Sequence, residues 1–340
     1  MTSTPWGKRD MGDIRTFGVV GSGIIGAGWA ARALAAGLDV LACDPESGAE
    51  DRLRKKIDQI WPVLERTGLF PDASRDRLIF CGSLEEVAAG SQFIQESAPE
   101  RIDLKVKLHS QIDAAASEDT IIASSTSGLL PTEFQAQCVH PGRIIVGHPF
   151  NPVYLLPLVE VLGGERTSAE SLDAAVAFYQ RIGMYPLRVR SEVPGFLSDR
   201  LQEALWREIL HLVNDDVATP AELDAAIAYG PGLRWALWGA CQIFHLAAQP
   251  GGMGQFLKHF DPALFPWTKL EPPQITEALA QKMHEGCETL AGDLSIDEME
   301  QVRDDALIGI IESLQKRNLG AGKVFNDHQH RIRTAKEAKG

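Results

Sequence analysis

Cysteine is scarce and scattered in this chain. Cys43, Cys81, Cys138, Cys241 and Cys287 are odd in number and form no C-x-x-C pair or Cys/His ligand spacing. That argues against a disulfide framework and against a structural metal, and it favours a reducing cytoplasm as the expected compartment. Basic residues are also short: 33 Lys and Arg stand against 46 Asp and Glu, for a net charge of -13. Such a chain is a poor partner for nucleic acid, which is held by basic surface. No apolar run approaches the roughly 20 residues that span a bilayer, so no membrane association is expected. The opening "MTSTPWGKRDMGDIR" lacks the apolar centre of a signal peptide. There is no internal repeat and no low-complexity tract. What remains is an ordinary globular composition, 44% hydrophobic and 23% charged over 340 residues, long enough for two domains.

The clearest local signal lies in residues 16–50. "TFGVV" reads as a buried strand, "GSGIIG" as a glycine turn, "AGWAARALAAG" as a helix and "LDVLACD" as a second strand. In that order each glycine has a physical task. Gly21 permits the tight turn, Gly23 lets the backbone approach a pyrophosphate, and Gly26 lets helix and sheet pack closely. The N–H groups at Ile24 and Ile25, at the start of the helix, face the phosphates. Asp44 closes the second strand, where a carboxylate accepts hydrogen bonds from ribose hydroxyls and disfavours a 2′-phosphate, so NAD is the expected cofactor.

Strand and helix alternate to about residue 192, as expected of a Rossmann-type, doubly wound α/β domain over 14–192. The charged "AEDRLRKKIDQIWPVLERTG" is expected as a surface helix inserted after the second strand. From "EVPGFLSDRL" onward the periodicity is helical throughout, which predicts an all-helical domain over 193–320, with a substrate cleft expected beside it. Residues 321–340 read as a polar, solvated tail.

One stretch raises a sharper question. "VGHPFNPVYLLPLVEV" is mostly apolar, yet it keeps His148, Asn151 and Glu160, and its prolines forbid one continuous helix. Two readings are open: a core histidine with a surface glutamate, or a general base and the carboxylate that orients it.

Taken together, "GSGIIGAGWA", "ESAPERIDLKVKL", "ASSTSGL", "GHPFNPVYLLPLVEV" and "VPGFLSDRL" resemble the 3-hydroxyacyl-CoA dehydrogenase family. The similarity runs over about residues 16–240. The resemblance implies that His148 is the general base and Glu160 its orienting partner, that Ser127 hydrogen-bonds the reacting oxygen, and that Asn151 sits between nicotinamide and substrate. It also implies that Glu100 and Lys105 lie on the cofactor side, and that the protein is a homodimer. Within the family, "SSTSGLLP" and "ALWREILHLVND" are most similar to members acting on carnitine, which implies NAD-dependent oxidation of its C3 hydroxyl to 3-dehydrocarnitine. Gulonate and 3-hydroxybutyryl-CoA remain alternative substrates, and the lens lambda-crystallins are a non-catalytic use of the same fold.

Two departures bear on the substrate. Acyl-CoA members usually carry asparagine where this chain has Asp199, and an anion there is costly unless it meets a cation. The segment "GPGLRWALWG" adds Arg234, suited to a carboxylate, and Trp235 and Trp238, suited to a quaternary ammonium. Their alternative is an ion pair and core or interface packing. Tyr154 is a further candidate wall of the pocket.

Overall fold

The computed structural model describes residues 14–247, Met253, Leu257, Glu271 and 274–339. Contacts divide the chain into two compact units, residues 1–199 with 324–340, and residues 200–323.

The first unit is built on an eight-stranded sheet of order β3-β2-β1-β4-β5-β6-β7-β8. Its strands are β1 (Thr16–Val20), β2 (Asp39–Cys43), β3 (Leu78–Phe80), β4 (Phe93–Glu96), β5 (Ile121–Ser124), β6 (Ile144–Pro149), β7 (Leu158–Gly163) and β8 (Tyr185–Arg188). All neighbours pair in parallel except β6 and β7, which are antiparallel. Helices α1 (Ile24–Ala35), α2 (Ala49–Thr67), α3 (Leu84–Gly90), α4 (Ile102–Ala115), α5 (Pro131–Phe134) and α6 (Ala169–Arg181) connect them. The central strands β1, β5 and β6 are almost wholly buried, as expected where helices cover the sheet. Phe17, Phe93 and Phe178 stack beneath α1, with Phe93 and Phe178 ring centres 4.2 Å apart. Ser83 and Ser168 cap α3 and α6 by accepting from the N–H of Glu86 and Ser171, which satisfies otherwise orphaned donors.

Two sequence expectations need correction here. The charged helix α2 is not simply a surface addition: it buries a stripe of Leu53, Ile57, Ile60, Trp61 and Leu64 and packs on α1. Its charges occupy only the outer face, the usual division of an amphipathic helix. The segment expected as a polar tail is a helix, Gly320–Glu337, whose residues from Val324 belong to the first unit. It buries Phe325 and Ile332, sets the His328 ring 5.4 Å from Phe70, and donates from Gln329 Nε2 to the Thr67 carbonyl at 3.4 Å. Its few apolar residues were masked in the sequence by the polar majority, yet they fall on one side.

Among the described residues of the second unit, every regular element is a helix. Helix α7 (Ser198–Asn214) leads into it, followed by Pro220–Ala228, Pro231–Trp235, Ala240–Ala247, Glu277–Ala291 and Ile296–Gln315. Leu210, Val213 and Leu279 form its small core. Capping boxes at Thr219/Glu222 and Ser295/Glu298 start two of these helices. No helix among the described residues is long and apolar enough to cross a membrane.

Ile332 tests the docking of the terminal helix. Its side chain meets Gly68 at the end of α2, so Ile332→Ala should cost about 2–4 kcal/mol, the usual range for such a buried truncation. Urea unfolding followed by far-ultraviolet dichroism reads this; an unchanged midpoint would return the segment to a solvated tail.

Candidate active site

The glycine turn leaves its backbone largely bare of side chains. Gly21 has φ 91°, and a side chain there would meet the Ser97 backbone at 2.8 Å. A Cβ on Gly26 would lie 2.0 Å from the Gly21 carbonyl oxygen, so helix and turn touch directly. Gly23 is the N-cap of α1 with no side-chain cap, and a Cβ there would meet nothing within 4 Å. Open space over an uncapped helix start is what a bound pyrophosphate requires. Ile24 and Ile25 form that first turn, with Ile24 exposed.

Asp44 lies beside this turn. Its Oδ2 accepts from the Ser22 N–H at 2.7 Å and the Ser22 hydroxyl at 3.0 Å, and its Oδ1 accepts from the Glu46 N–H at 3.0 Å. Burial acts to raise its pKa, but these hydrogen bonds and Arg52 win and hold the carboxyl below the usual carboxylate range. It is thus held as an anion beside the glycine turn.

The antiparallel pairing of β6 and β7 brings together the histidine and the glutamate of the apolar stretch. It sets His148 directly opposite Glu160. His148 Nδ1 lies 2.9 Å from Glu160 Oε2, and the carboxylate is fully buried. Its other oxygen accepts from the N–H groups of Leu197 and Ser198, both at 3.0 Å. Burial pushes the Glu160 pKa up; the His148 bond and the two backbone N–H groups outweigh it, leaving the carboxyl below its ordinary value. The turn that presents those N–H groups is strained, with Gly195 at φ 73° and Phe196 at φ 46°. Left-handed backbone at a bulky residue persists only where packing demands it; Phe196 is buried, with its ring 5.5 Å from that of His148. Phe150 stands at 5.3 Å. Helix α7 begins at this turn and carries Asp199, whose Oδ2 lies 3.7 Å from His148 Nε2. The imidazole is therefore flanked by a carboxylate on each nitrogen.

Glu100 and Ser127 are also brought together. Glu100 Oε1 accepts from the Thr126 hydroxyl at 2.5 Å and from the N–H groups of Ser127 and Gly128 at 3.1 and 3.2 Å. Ser127 itself is exposed, as is Asn151 in the loop after β6.

The remaining expected residues have different surroundings. Lys105, expected on the cofactor side, is only 1% exposed; its Nζ donates to both oxygens of buried Glu96, at 2.8 and 3.0 Å, and to the Ala98 carbonyl at 3.2 Å. An ammonium so engaged has no direct approach to a ligand. Tyr154, expected as a pocket wall, is buried and lines a small cavity with Arg32, Leu64, Ile182, Phe325 and His328. The local reason is that the loop after Pro152 turns inward, burying Val153 and Leu155 as well. Arg234, Trp235 and Trp238 belong to the second unit, where all three are exposed; the short helix ends at Trp235 rather than beginning there.

Residues not singled out from the sequence form a polar network at the ends of β4 and β5. Gln95 donates to the Gly147 carbonyl at 3.0 Å and to the Ser125 hydroxyl at 2.8 Å, and accepts from Tyr179 at 2.7 Å. Ser97 meets Ser125 at 2.9 Å. Polar side chains at the ends of apolar strands were the available signal. Among the described residues no cluster of His, Cys, Asp or Glu is placed to hold a metal ion.

Glu160 gives a pH test with a definite sign. Its folded pKa is lowered, so its stabilising contribution is complete above the unfolded value of about 4.3 and is lost as pH falls through the lower folded value. The stability gap between the unmodified protein and Glu160→Gln should be wide at neutral pH and narrow in acid. A gap in urea unfolding as large in strong acid as at neutrality would contradict this.

A family model described as "3-hydroxyacyl-CoA dehydrogenase, NAD binding domain" matches residues 16–193, and one described as "3-hydroxyacyl-CoA dehydrogenase, C-terminal domain" matches residues 195–293. The L-carnitine dehydrogenase of Pseudomonas putida is 54% identical, over 93% of this chain and 98% of that one. The L-carnitine dehydrogenase of Bacillus cereus is 51% identical, over 91% and 95%. Among solved structures, that of 5-formyl-3-hydroxy-2-methylpyridine 4-carboxylic acid 5-dehydrogenase, an NAD+ dependent dismutase, is similar with a TM-score of 0.75. It is 27% identical, and the match covers 89% of this chain and 99% of that one.

Proposed function

The chain belongs to the 3-hydroxyacyl-CoA dehydrogenase family and is an NAD-dependent 3-hydroxy acid dehydrogenase, and from that premise we propose that its substrate is L-carnitine, oxidised at C3 to 3-dehydrocarnitine. NAD, when bound, supplies the acceptor for the hydride that leaves C3. Gly21, Gly23, Ile24, Ile25 and Gly26 form its cradle, Asp44 takes the adenosine ribose hydroxyls, and Glu100 serves the cofactor side.

His148 is the base. Glu160 holds Nδ1 at 2.9 Å, so Nε2 is the nitrogen turned to the substrate hydroxyl, whose proton it takes. The buried carboxylate stabilises the imidazolium that results. Proton transfer of this kind contributes about 10²–10⁴-fold. Ser127 hydrogen-bonds the reacting oxygen, and Asn151 lies between nicotinamide and substrate.

The observation that carries the substrate assignment is the 3.7 Å separation of Asp199 Oδ2 from His148 Nε2. In carnitine the quaternary nitrogen is two bonds from C3. A base on the C3 hydroxyl therefore has the trimethylammonium beside it, where Asp199 supplies the opposite charge. A quaternary ammonium has no N–H to donate, so recognition rests on charge and on aromatic faces. On sequence grounds alone, Trp235 and Trp238 are its proposed aromatic partners and Arg234 the partner of the substrate carboxylate. An acyl-CoA thioester or gulonate presents no such cation. A homodimer in the reducing cytoplasm completes the proposal; the exposed Leu201, Leu205 and Trp206 of α7 form an apolar face of the kind that a second copy covers.

The decisive comparison is carnitine against its neutral isostere, 3-hydroxy-5,5-dimethylhexanoate, in which carbon replaces the quaternary nitrogen. Loss of the charge should lower kcat/KM by roughly 30- to 1000-fold, equivalent to about 2–4 kcal/mol. Asp199→Asn should erase most of that preference. Equal turnover of the two compounds would sink the carnitine assignment. Gulonate and 3-hydroxybutyryl-CoA assayed alongside separate the alternatives. His148→Ala should cut turnover by about 10²-fold or more while NAD binding, followed by calorimetry, survives; a near-normal rate would make the histidine structural.

A further inference from the structure

Arg32 lies in the last turn of α1 and is only 5% exposed. Lys105 and Arg143 are also buried, and each is paired with a carboxylate, Glu96 and Asp113. Arg32 has no such partner among the described residues. Its Nε donates to the Val153 carbonyl at 2.9 Å, and its Nη1 to the carbonyls of Ile182 and Gly183 at 3.3 and 3.5 Å. Nη2 is buried and meets no acceptor among the described residues. Peptide dipoles, those of the helix end included, satisfy part of such a group. They leave its full charge in place, and an uncompensated buried charge is costly. Burial pushes the guanidinium pKa down to about 10, so it remains a cation at neutral pH.

His328, on the C-terminal helix, lines the same small cavity as Arg32. Its Nδ1 is likewise buried and without a partner among the described residues. Gly183 packs so closely on this ring that a Cβ there would lie 2.5 Å from Nδ1. Burial, Arg32 and Arg331 push the imidazole pKa down to about 3. The ring is therefore neutral and has one N–H to give. No aspartate or glutamate is among the residues that line the cavity. Its volume of about 10 Å³ admits one particle of roughly the size of a water molecule. A phosphate or a carboxylate ligand is too large. Water accepts from these donors but leaves the guanidinium charge unanswered. A monatomic anion does both.

We propose that this cavity is a chloride site: one ion accepts from Arg32 Nη2 and His328 Nδ1 and offsets the buried guanidinium charge. The ion serves a junction of four segments. Arg32 holds α1 to the Val153 carbonyl in the loop after β6, and to the Ile182 and Gly183 carbonyls in the turn before β8. His328 brings in the C-terminal helix. The site depends on neither the cofactor nor the substrate assignment.

Thermal unfolding at constant ionic strength tests this, with sodium gluconate, too bulky for the cavity, replaced stepwise by sodium chloride. The midpoint of the unmodified protein should rise by about 3–5 °C between zero and roughly 100 mM chloride. Arg32→Met keeps most of the side-chain length, removes the charge, and should show no rise. Crystals grown in sodium bromide should give an anomalous peak within hydrogen-bonding distance of Arg32 Nη2. Should Arg32→Met not fold, that peak together with the chloride response of the unmodified protein decides. A midpoint that ignores chloride, an equal rise in Arg32→Met, or density beside Arg32 with no anomalous signal, the mark of a water, would each overturn the proposal. A bromide peak without a chloride response is binding at crystal concentration only and overturns it as well.

Discussion

One buried carboxylate organises the junction of β6, β7 and the start of α7 in this protein. Glu160 bonds the His148 ring with one oxygen and the N–H groups of Leu197 and Ser198 with the other. A carboxylate stripped of water and left unpaired would take up a proton instead of remaining charged. Three donors prevent that, and each one also fixes something else. The bond to His148 sets which ring nitrogen is available. The two backbone bonds anchor the first turn of α7, and with it Asp199. The arrangement of the imidazole and its two flanking carboxylates therefore has a common origin in one residue of β7.

That residue can act so because β6 and β7 run antiparallel. Every other neighbouring pair in the sheet is parallel, and a parallel neighbour needs a long crossover before it returns. Here the return takes only the loop between Pro149 and Leu158, so two residues twelve apart face each other across the ladder. Side chains alternate along a strand, and a register slip of one residue would turn Glu160 to the other face of the sheet. The geometry of the pair is thus a property of strand register before it is one of either side chain.

The nucleotide end follows a different logic. There the chain withholds side chains instead of presenting them: Gly21 and Gly26 because backbone approaches from one side, and Gly23 because open space lies beside it. Charge is supplied around the rim by Asp44 and Glu100, each engaged by several donors. Under the turns the polar floor of Gln95, Ser97, Ser125 and Tyr179 is satisfied internally, as groups removed from water must be.

The sequence by itself determined the elements and their order. The glycine turn between strand and helix, the alternation to residue 192 and the helical periodicity beyond are local patterns, because each follows from backbone conformation and the spacing of apolar residues. It also singled out His148 and Glu160 as polar residues in an apolar stretch, and Asp199 as a departure from the family it resembles. Only the tertiary structure decided what these residues face. That Glu160 also holds the start of α7, that Lys105 is consumed by Glu96, that Tyr154 turns into the core, and that the polar-looking C-terminal segment docks against α2 all depend on contacts between segments far apart in the chain. Such contacts leave no periodic trace in the sequence, since a buried charge and a solvated one are written with the same letter until a partner arrives from another element.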